Sequence, residues 1–96
     1  MANYGNILAV FNTDISTKNK IENILSTHQA SFVLLNELFF LETSSKSNTR
    51  KILNELNTIL DLEYLFYHNH ISDGSQIKSK NMDADLTQKI NKILIR

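Results

Sequence analysis

Apolar positions in this chain fall into short runs whose spacing changes from one to the next. Ile7-Leu8-Ala9-Val10-Phe11 is continuous, as in a central strand covered on at least one face. Asn12-Thr13-Asp14 breaks it. From Lys18 to Thr27 the apolar residues thin to Ile21, Ile24 and Leu25, a short helical stripe with Ser16 or Thr17 as its expected cap. Phe32–Leu35 and Leu38–Leu41 follow as two runs separated by Asn36-Glu37. Asn36 tolerates positive φ, so the pattern predicts a tight hairpin. One continuous helix is the rival reading, and the β-branched and aromatic content argues against it.

After the polar stretch Thr43–Asn48, Ile52, Leu56, Ile59 and Leu60 recur at i, i+4, i+7 and i+8. They predict a second helix capped by Ser47 or Asn48. Tyr64 to Ile71 alternates as a strand. Tyr64, Phe66, His68 and His70 share one face; Leu65, Tyr67, Asn69 and Ile71 share the other. The second set looks more core-like at its ends, but Asn69 interrupts it, so the pattern leaves the buried face open. Ser72–Met82 is polar, contains Asp73-Gly74, and reads as a loop. Asp83 or Asp85 then opens a last helix with Leu86, Ile90, Ile93 and Leu94 on one stripe, and Lys92 and Arg96 suit its C-terminal dipole.

The order is β-α-β-β-α-β plus a helix. It predicts an α+β fold of the ferredoxin-like kind: a four-stranded antiparallel sheet with two helices on one face. Residues 1–71 form the expected core, with 72–96 appended to the same domain. Such a fold hosts many functions and selects none. With 96 residues and 42 % apolar content, one modest core is the limit.

Charge adds little. Ten basic and ten acidic residues cancel, so no overall field draws the chain to nucleic acid or anionic lipid. No cysteine is present, which excludes disulfides and thiolate metal sites and suits the cytoplasm. No apolar run approaches the ~20 residues of a membrane span, and the N-terminus lacks the basic start of a signal peptide.

The segments ILAVFNTD, ASFVLLNELFFLETSSKSNTRKILNELNTIL and LEYLFYHNHI together resemble a known superfamily. It comprises the CRISPR-associated small ferredoxin-like protein that partners the spacer integrase and, more closely, its solitary SinR-like relatives. The likeness is one of pattern over about residues 6–71. It implies a small prokaryotic protein of a mobile-element or defence setting, pairing as a homodimer and touching nucleic acid weakly. A short chain also leaves part of its sheet uncovered, which pairing of two copies would hide. Nuclease members of that family carry an aspartate after an aromatic residue at the end of the first strand, holding a divalent metal across the dimer. Here Asn12 follows Phe11, and an amide is a poorer Mg²⁺ ligand than a carboxylate. The resemblance therefore implies a non-catalytic module without a cofactor. Mg²⁺ or Mn²⁺ enters only if Asp14, two residues on, replaces the missing acid.

Candidate chemistry is sparse. Asp14 is the one candidate catalytic or metal-ligating acid, and its plainer reading is a turn or pre-cap residue. His68 and His70 could share a metal, yet two histidines without a third ligand make a weak zinc signal. Lys46, Arg50 and Lys51 gather where the second helix begins, with Ser44, Ser45 and Asn48 nearby, and Lys78 and Lys80 could extend that surface. They are the candidate anion or nucleic-acid residues, against the plainer reading of solvated lysines. A small-ligand sensor is the remaining alternative, weakened by the scarcity of glycine in the loops.

Overall fold

The computed structural model describes residues 4–70 and 74–94; Ile71, Ser72, Asp73, Ile95 and Arg96 lie outside the described residues, as do the side chains of Asn69, His70, Ser75 and Gln76. The elements run β1 (Tyr4–Phe11), α1 (Ile15–Thr27), β2 (Ser31–Leu35), β3 (Leu38–Thr43), α2 (Lys46–Leu56), β4 (Glu63–His70), β5 (Gly74–Lys80) and α3 (Ala84–Leu94). One sheet contains all five strands in the order β2-β3-β1-β4-β5, with every neighbouring pair antiparallel. The fold is α+β, with three helices.

The fifth strand corrects the expectation of four. Residues 74–80 fall within the stretch read as a loop, yet they pair with β4 from Tyr64↔Lys80 to His70↔Gly74. Of the described side chains in β5, Ile77 is the one apolar member, so no alternation betrays it. An outermost strand needs only backbone partners, and lysines on an edge discourage further pairing.

Helix starts also differ from expectation. Asp14, not Ser16 or Thr17, caps α1: its carboxylate accepts from the Thr17 amide at 2.7 Å. Ser45, rather than Ser47 or Asn48, caps α2 by accepting from the Asn48 amide at 3.0 Å. α2 ends at Leu56, so Ile59 and Leu60 fall in the loop beyond it; Ile59 still packs on the core while Leu60 is exposed. The chain beyond α2 is held by β5's end. Lys80 Nζ donates to the carbonyls of Asn57 and Ile59 at 2.8 and 2.7 Å, and the Asn81 amide donates to those of Leu60 and Leu62. The hairpin turns at Asn36, whose φ of 54° is the left-handed value its side chain tolerates.

The core lies between the sheet and α1 and α2. Leu8 and Val10 of β1, Phe39 and Leu41 of β3, and Tyr64 and Phe66 of β4 meet Ile21 and Leu25 of α1 and Ile52, Leu53 and Leu56 of α2. The buried face of β4 is thus the Tyr64, Phe66 and His68 set. The molecule measures 36 × 36 × 23 Å, and the shortest extent suits one sheet under one helical layer.

Candidate interaction surface

Because side chains alternate along each strand, the residues between the core positions point to the face away from α1 and α2. Register places them in lateral rows. Val33, Phe40, Ile7, Tyr67 and Ile77 are successive cross-strand partners from β2 through to β5. The neighbouring row is Leu35, Leu38, Ala9, Leu65 and Ser79. Every member is apolar or aromatic except Ser79, and none is charged. Val33 is 67 % exposed, Leu35 57 %, Phe40 40 % and Ile7 39 %. A shallow hollow opens here between Ile7, Val33, Phe40 and Tyr67, beside Gly5, which has no side chain to fill it. An apolar band that crosses all five strands, bordered on the same face by Glu42 and Glu63, departs from the scattered single hydrophobes normal for a monomer's surface.

α3 adds to this surface. Its Leu86, Ile93 and Leu94 are exposed and none of its residues is buried. It packs against β5, where Thr87 Oγ1 lies 3.3 Å from Ser79 Oγ.

The residues singled out from the sequence are distributed elsewhere. Asp14 and Asn12 sit at the C-terminal end of β1. Asp14 is occupied as the α1 cap, and the Thr17 amide holds its carboxyl below the usual carboxylate range. Asn12 has φ 55° and its side-chain amide donates to the Glu63 carboxylate at 2.6 Å, tying β1 to the start of β4. Nearby, the Lys18 ammonium at 2.9 Å holds the Glu37 carboxyl below its ordinary value. No cluster of three or more His, Asp or Glu side chains suited to a metal occurs among the described residues.

At the opposite end, His68 is buried, not presented to a ligand. Its Nδ1–H donates to the Asn6 side-chain carbonyl, and its ring lies near those of Tyr4 and Phe66. The Asn6 amide donates to Tyr4 O and Thr43 Oγ1, each at 3.1 Å, and Thr49 Oγ1 donates to Thr43 Oγ1 at 2.6 Å. This buried polar chain links β1, β3, β4 and α2. Nothing in the sequence marked Asn6, Thr43 or Thr49, because each looks like an ordinary polar residue beside an apolar run.

Lys46, Arg50 and Lys51 are exposed on the first turns of α2. Lys51 borders a polar cleft with Ser44, Ser45 and Asn48 and with His28 at the end of α1. Lys78 is exposed on β5. Lys80 does not join them: it is bound to carbonyls beyond the C-terminal end of α2, the far end of that helix from Lys46. Tyr64 completes that end, its hydroxyl donating to Asn57 Oδ1 at 2.6 Å, with burial pushing the phenol above its ordinary pKa. No described helix is long and apolar enough to cross a membrane. In comparisons with known proteins, no family model, curated protein or solved structure matches the chain.

Proposed function

We propose that this chain is a ferredoxin-like, non-catalytic interaction module whose working surface is the open sheet face, through which two copies form a homodimer. The observation that carries the reading is the pair of uncharged rows crossing all five strands. Asp14 is committed to capping a helix and His68 to a buried hydrogen bond, so the residues best suited to chemistry already have structural work. The SinR-like resemblance supports a cytoplasmic role in a mobile-element or defence setting. Weak contact with nucleic acid would fall to Lys46, Arg50 and Lys51, on the helical layer and away from the pairing face.

Sedimentation velocity on Val33→Lys tests the reading. Val33 is two-thirds exposed in the single chain, and full burial of a valine gives ~1.5–3 kcal/mol. Each copy then contributes about 1–2 kcal/mol at the interface, and a symmetric contact uses it twice, weakening dimerisation by ~30–1,000-fold. A dimer whose affinity is unmoved by this lysine would remove the open face from the interface.

A further inference from the structure

The sheet has two edges, and the chain treats them differently. β5, at one edge, carries Lys78 and has α3 packed against it, and both features discourage further pairing. β2, at the other, reads Ser-Phe-Val-Leu-Leu. It has no charge and no proline, and its register with β3 runs without a bulge from Ser31↔Glu42 to Leu35↔Leu38.

One hydrogen bond establishes which backbone groups of β2 are free. The Val10 N–H donates to the Glu37 carbonyl at 3.0 Å. Residues of an antiparallel strand turn their N–H and C=O to alternate sides, so Glu37, Phe39 and Leu41 face β1 while Leu38, Phe40 and Glu42 face β2. Their partners Leu35, Val33 and Ser31 are therefore the residues of β2 bonded to β3. Phe32 and Leu34 turn their N–H and C=O outward, and among the described residues nothing bonds to those groups. Their side chains stay packed on the core, which fixes the edge in place.

Another extended backbone satisfies donors and acceptors at this spacing. The surroundings select its side chains. Residues opposite Val33 and Leu35 join the uncharged rows of the open face, so apolar side chains suit them. Residues opposite Phe32 and Leu34 lie on the helical side, where α1 packs beside β2. Lys18 of α1 is tied to Glu37 at the hairpin turn, and His28 to Glu55 of α2. At about 100° per residue, Glu22 lies roughly 40° from Lys18 and roughly 120° from His28, on the flank turned away from α2 and toward the β2 edge. Glu22 is half-buried, and no described cation pairs with it. A basic residue is its complement. A second β2 supplies none, and pairing two such edges sets both Glu22 flanks side by side.

We propose that β2 accepts an extended segment of another protein by strand addition, its backbone bonding to Phe32 and Leu34, with apolar and basic residues alternating along it. This edge is distinct from the open face, and the proposal holds whether or not a second copy covers that face. Amide hydrogen exchange by NMR on the full isotope-labelled chain tests it, with the capped peptide Val-Lys-Val-Lys-Val at millimolar concentration as probe. Exchange at Phe32 and Leu34 should slow several-fold, while Val33 and Leu35, already bonded to β3, change far less. Glu22→Lys leaves the edge backbone intact; it should weaken that peptide by ~2–5-fold and favour Val-Glu-Val-Glu-Val instead. Unmoved exchange at Phe32 and Leu34, or equal slowing by both peptides in the unaltered chain, would overturn the proposal. Slowing of those amides by raised protein concentration alone, without peptide, would also overturn it by assigning the edge to a second copy.

Discussion

The polar chain at the N-terminal end of β1 offers the sharpest test of what orders that end of the domain. Asn6→Leu keeps the number and branching of side-chain heavy atoms but removes the acceptor of His68 Nδ1–H and one donor to Thr43 Oγ1. The orientation of the Asn6 amide is fixed because its nitrogen donates to the Tyr4 carbonyl, so its oxygen must be the atom facing the histidine. Stranding a buried donor costs ~1–3 kcal/mol. Thr43 keeps its bond from Thr49, so its loss is smaller, and the total is about 2–4 kcal/mol. A domain of this size has roughly 5–14 kcal/mol in all. With an m-value of ~1–1.5 kcal/mol/M, the urea midpoint should fall by about 2 M, read by far-ultraviolet circular dichroism at one fixed protein concentration.

The double variant Asn6→Leu/His68→Leu removes both partners and leaves neither stranded by the other. It should be more stable than the sum of the single losses by at least about 1 kcal/mol. Additivity within ~0.5 kcal/mol, or a negligible effect of Asn6→Leu alone, would refute the argument.

Other outcomes follow from the same structure. Lys80→Met removes two charge-assisted bonds to the carbonyls of Asn57 and Ile59; discounted for partial exposure, the loss is about 1–2 kcal/mol, and the melting temperature should drop by roughly 4–12 °C by calorimetry. Asp14 and Glu37 have folded-state pKa values below their unfolded ones, so their contribution is present above the ordinary carboxylate range and is lost as pH falls through the lowered values. Unfolding curves from about pH 6 to 2 should therefore show a shallower acid loss in Asp14→Asn/Glu37→Gln than in the unaltered chain. Incubated with RNA or double-stranded DNA and Mg²⁺ or Mn²⁺, the protein should produce no cleavage that both a chelator and Asp14→Ala abolish; such cleavage would make it a nuclease after all.

The elements with strong periodicity were the legible ones. β1, the β2–β3 hairpin with its turn at Asn36, and α2 all lie where the apolar runs placed them, within a few residues at their ends. Boundaries failed where a residue acts through its backbone neighbours. Ile15 opens α1 while exposed, so the buried stripe gives no sign of it, and the cap moves back to Asp14. The pattern leaves the buried face of β4 open because Asn69 interrupts one set, while His68 in the other looks like a surface residue. It becomes a core residue only through Asn6, which faces it across the strand pair. β5 was illegible for a related reason: its place depends on the free backbone edge of β4, which no side-chain pattern records. As for the candidate site, the apolar residues of β1 and β3 were visible, but the face each would occupy was not. Only the register of all five strands brings Val33, Phe40, Ile7, Tyr67 and Ile77 into line.

The central claim is that the uncovered sheet face is closed by a second copy. Light scattering on the eluting peak of the unaltered chain, at micromolar concentration, tests it most directly. The account predicts twice the chain's 11.0 kDa. A steady 11.0 kDa across the concentration range would contradict it.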